Sequence, residues 1–178
     1  MGTDSVKLFN KAVADQILAM DQARLVQFLE ENIDVLRNKE RTPSLILFEM
    51  EQNGGSVSDA IGRLLSGGQT FTEIKADIAQ DFGFHDEEIH LDYWGCYYHV
   101  FNGHPEGSIS SLGYYLPHQE EETFLLLRPE RVYQMLKSLN DHSNDLRVMK
   151  VSDIQRLERW RNLCAADPSY MVAYHFDY

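Results

Sequence analysis

"TFTEIKADIAQDFGFHDEEIHLDYW", residues 70 to 94, changes its hydrophobic period after Gly83, and that change decides the fold class. Thr70 stands three residues before Glu73, the spacing at which a side chain and a backbone N–H cap each other at a helix start. The helix so opened stops at Gly83. Beyond it Ile89, Leu91 and Tyr93 alternate with His90, Asp92 and Trp94, which predicts a half-buried strand.

Upstream, the first 83 residues read as helices only. Asp4 or Ser5 caps a helix whose Val6, Phe9, Val13, Ile17 and Met20 recur at three and four residues. Asp21 caps a second, with Leu25, Phe28, Leu29, Ile33 and Leu36 on one stripe. In "TPSLILFEMEQNGG" Thr42 is the cap, Pro43 the first helical position, and Gly54-Gly55 the stop. "SVSDAIGRLLSGG" is a short helix halted by Gly67-Gly68.

Downstream, "YYHVF" (97 to 101) reads as a second strand, and "GYYLP" and "TFLLL" as two more. Pro129 starts a helix with Val132, Met135, Leu136 and Leu139, and Ser152 or Asp153 caps another that closes before Pro168. "YMVAYHFDY" alternates to the last residue, as a strand inside a sheet does. The expectation is one α+β domain over residues 1–178. Its helical N-terminal half, 1–83, packs on a small, mainly antiparallel sheet with two further helices, from 84–178.

Composition narrows the class. Apolar residues make up 43% and charged residues 25%, the balance of a folded chain. No run approaches the roughly eighteen apolar residues of a membrane span, and "MGTDSVKLF" lacks the basic end and apolar stretch of a signal peptide. Cys96 and Cys164 form no metal-type pair and no disulfide framework. A reduced, cytoplasmic protein follows as the expectation, with no cofactor motif: "SGGQT" lacks the lysine of a phosphate loop.

The charge is distributed unevenly. Lys75 and Arg128 bracket 52 residues that hold ten acids and no lysine or arginine, so the segment carries −10 of the net −12. It also holds five of the seven histidines and ten aromatic residues. A field of that sign disfavours nucleic acid and anionic membranes, and favours a partner with a basic surface. Two readings compete. Basic residues downstream, among them Arg128, Arg131, Arg156, Arg159 and Arg161, return to the segment in the fold. Alternatively, Asp86, Glu87, Glu88, Asp92, Trp94, Tyr97, Glu120, Glu121 and Glu122 form an acidic, aromatic surface for a basic protein. A toxin-immunity or inhibitor protein would have that character, and a nucleic-acid mimic is a third possibility.

"HLDYWGCYYHVFNGH" (90 to 104) raises a metal reading as well. His90 and Asp92, two apart on a strand, leave the same face, and a bend at Gly95 lets His99 join them, with His104 or His85 nearby. Two histidines and a carboxylate suit a metal-assisted hydrolase, although the spacing matches no specific motif. Cys96 and His99 lie three apart and face opposite ways on a straight strand, and no G-x-S-x-G occurs, so no catalytic residue is assigned.

"LLLRPERVYQMLKSL", followed by a helix ending "RNLCAADPSYMVAYHFD", resembles the YfbM-like bacterial proteins: a Pro-led helix precedes a last helix and a terminal strand. The resemblance covers about the last third of the chain. It implies a compact α+β domain of bacterial origin and brings no catalytic residues with it.

Overall fold

The computed structural model describes residues 4–39, 44–91, 108–109, 115–116, 124–128, 130 and 151–176. Their strands form one sheet of six, every pairing antiparallel, and the helices complete an α+β fold.

The chain opens on a strand, which corrects the all-helical reading of residues 1–83. β1 (Asp4–Asn10) lies between β2 (Phe84–Leu91) and β6 (Tyr170–Phe176). β1 is covered on both faces, so Val6, Leu8 and Phe9 are all buried, and the polar/apolar alternation of Ser5, Val6, Lys7 and Leu8 stops after four residues at Phe9. The spacing from Val6 to Phe9 to Val13 instead runs across a strand–helix junction and mimics a helical stripe. The helix proper, α1 (Lys11–Leu18), starts where Asn10 Oδ1 accepts a 3.0 Å hydrogen bond from Val13 N.

α2 (Gln22–Arg37) is capped by Asp21 as its sequence implies, at 2.8 Å from Arg24 N. α3 (Leu45–Asn53) is capped by Ser44, which accepts from Leu47 N, two positions beyond the expected Thr42. Its end at Gly54 has φ +69°, a conformation that favours glycine. α4 (Val57–Ser66) and α5 (Phe71–Gly83) both begin with reciprocal capping boxes, Ser56 with Asp59 and Thr70 with Glu73.

Leu25, Leu29, Ile46, Ile61, Ile74 and Ile78 from these helices meet Phe9, Phe84, Leu126, Met171 and Ala173 of the sheet in one core. Gly83 belongs to this packing. Its φ is not positive, so it does not serve as a left-handed stop. A Cβ there would collide with the Phe9 ring, at 2.6 Å from Cζ.

The rest of the sheet comes from β3 (Ser108–Ile109), β4 (Tyr115–Leu116) and β5 (Phe124–Leu127), in the order β2-β1-β6-β5-β3-β4. β3 falls in a stretch to which the sequence assigns no strand, whereas β4, β5 and β6 lie where strands were expected. α6 (Val151–Ala166) starts before Ser152 and Asp153, so these stand in its first turn and are not its cap. It buries Leu157 and Trp160, while the strand residues of the opposite parity to the core, Val6, Leu8, Ile89, Val172 and Tyr174, are buried too. Both faces of the central strands are therefore covered. The expected strand at 97–101 and the body of the Pro129-led helix lie outside the described residues.

Candidate functional site

β2 starts five residues earlier than the alternation suggests, so "HDEE" belongs to the strand. Its pairing with β1 is irregular. Lys7 faces Glu88 and Phe9 faces Phe84, so β2 advances four positions while β1 advances two. The additional residues form a bulge containing His85, Asp86 and Glu87, and a bulge re-aims side chains away from the regular pleat. Asp86 and Glu87 are exposed there, Glu88 and His85 are partly covered, and Ile89 returns to the core.

Cations and donors distant in sequence converge on this bulge. Lys7 Nζ stands 3.6 Å from Glu88 Oε2. Arg156 Nη1 donates to the Glu88 carbonyl at 2.9 Å, and Trp160 Nε1 donates to Glu87 Oε2 at 3.0 Å. Lys39 Nζ donates to the Phe84 carbonyl at 2.6 Å. The return of downstream basic residues thus holds for Arg156. Sequence reasoning missed Lys7 because it placed residue 7 on a helix. Trp160 was missed because an indole N–H leaves no pattern along the chain. Asp86 has no ion pair among the described residues.

Two histidines flank the acids. His85 meets the Tyr170 ring edge-on, with centroids 5.3 Å apart. Burial, then the charge of Lys39, holds its pKa below the ordinary imidazole value, against the opposing pull of Asp86 and Glu87. His90 is exposed, with Nε2 3.8 Å from Glu88 Oε2. Glu88 therefore lies between Lys7 and His90, and His90 has a carboxylate neighbour that the metal reading had not considered.

Among the described residues, no three His, Cys, Asp or Glu side chains gather closely enough to hold a metal ion. Asp92 and His99 of the sequence-derived set lie outside those residues, as do His104, Trp94, Tyr97 and the Glu120–Glu122 run. Cys164 is half-buried, and burial followed by the nearby Asp167 pushes its thiol up to about 11. It is protonated and poorly nucleophilic near neutrality. No described helix is long and apolar enough to cross a membrane. Set beside family models, curated proteins and solved structures, the chain matches none.

Proposed function

We propose that the chain is an acidic binding protein that recognises a basic protein partner through the bulged start of β2, in the manner of an inhibitor or immunity protein. The observation that carries this reading is the exposed Asp86 beside the exposed Glu87, on the strand that ends the described sheet. They belong to a segment carrying −10 of the net charge. Within that bulge the fold engages Glu87 and Glu88 through Trp160, Lys7 and Arg156, and Asp86 is left to the solvent. Exposed rim charges of this kind act mainly on association rate and salt dependence.

The test must spare the fold. Replacing Glu87 and Glu88 by alanine would disturb α6 and Lys7, so the informative variant is Asp86→Asn with Glu87→Gln, which keeps an acceptor for Trp160. Affinity capture from the native lysate is run with both proteins over a salt series. A basic polypeptide should be retained by the wild type, released as ionic strength rises, and retained less by the variant. Equal retention by both proteins at every salt concentration would rule out the bulge as the contact.

A further inference from the structure

We draw no further inference here: the strongest candidate, the side-chain cluster of Ser5, Lys7, Glu88 and His90 on facing rungs of β1 and β2, brings one imidazole within 3.8 Å of one carboxylate that Lys7 already pairs, and among the described residues no third histidine, cysteine or carboxylate joins them to hold an ion.

Discussion

Trp160 Nε1 donates to Glu87 Oε2 at 3.0 Å, which ties the last helix to the acidic bulge across 73 positions of sequence. Trp160 is 3% exposed, and the exposed Glu87 supplies the acceptor for its N–H. Glu87→Ala should therefore cost about 1 kcal/mol, the net worth of the hydrogen bond it removes from Trp160. Glu87→Gln retains an acceptor and should cost less than the alanine variant, on the order of 0.5 kcal/mol or below. Urea denaturation followed by circular dichroism separates the two. An alanine variant as stable as the wild type would show that the bond is dispensable.

Gly83 is a packing residue first and a helix terminus second. Its missing Cβ makes room for the Phe9 ring, which is fully buried and stands edge-on to Phe84 with centroids 5.1 Å apart. Gly83→Ala normally favours a helix, since alanine has the higher propensity. Here the methyl group must displace an aromatic ring in a close-packed core, and overpacking of that kind costs about 1–3 kcal/mol. We expect destabilisation, and partial rescue by Phe9→Leu in the same chain. Additivity of the two substitutions would show that residues 9 and 83 are not in contact.

His85 gives the fold a pH dependence of defined sign. Its folded-state pKa lies below the ordinary 6.5, chiefly through burial and secondly through Lys39. Between that lowered value and 6.5 the unfolded chain binds more protons than the folded one, so stability falls as pH drops through this window. Above it both states hold the imidazole neutral and the residue adds no slope. Urea midpoints measured for wild type and His85→Gln at pH values on either side should show a smaller acid loss in the variant. Identical pH profiles would mean that His85 titrates in the folded protein as it does in the unfolded chain.

The helical scaffold was legible because caps are local. Asp21, Ser56, Thr70 and Gly54 act within a few residues of themselves, so their spacing is visible along the chain. β6 was legible because it alternates regularly. β1 was not, because its alternation runs for only four residues, Ser5 to Leu8, and Phe9 connects it to a genuine helix. Of the candidate site, the acids of "HDEE" were visible as composition, whereas the bulge that displays them depends on register with a strand 80 residues earlier. The partners Lys7, Arg156 and Trp160 are set by tertiary pairing, to which linear periodicity is blind.

That misreading yields the sharpest test of the fold. If residues 5 to 20 formed a helix capped by Ser5, position 6 would be its first helical residue, where proline is readily accommodated because the N–H has no intrahelical partner. In the structure Val6 is the fully buried middle of a strand, opposite Ile89 on one side and Tyr174 on the other. Each N–H of a doubly flanked strand serves one neighbour or the other, and proline is confined to edges and bulges. Val6→Pro should therefore remove a ladder bond, leave a buried carbonyl unpaired and lose core packing, for a cost on the order of 3 kcal/mol or more. Ser5 supplies the matching control. Its hydroxyl is buried with no hydrogen-bond partner among the described residues, so Ser5→Ala should be neutral or slightly stabilising, whereas loss of a helix cap would cost about 1 kcal/mol. A chain that tolerates proline at position 6 and weakens on losing Ser5 would have a helix there, and β1 would be withdrawn.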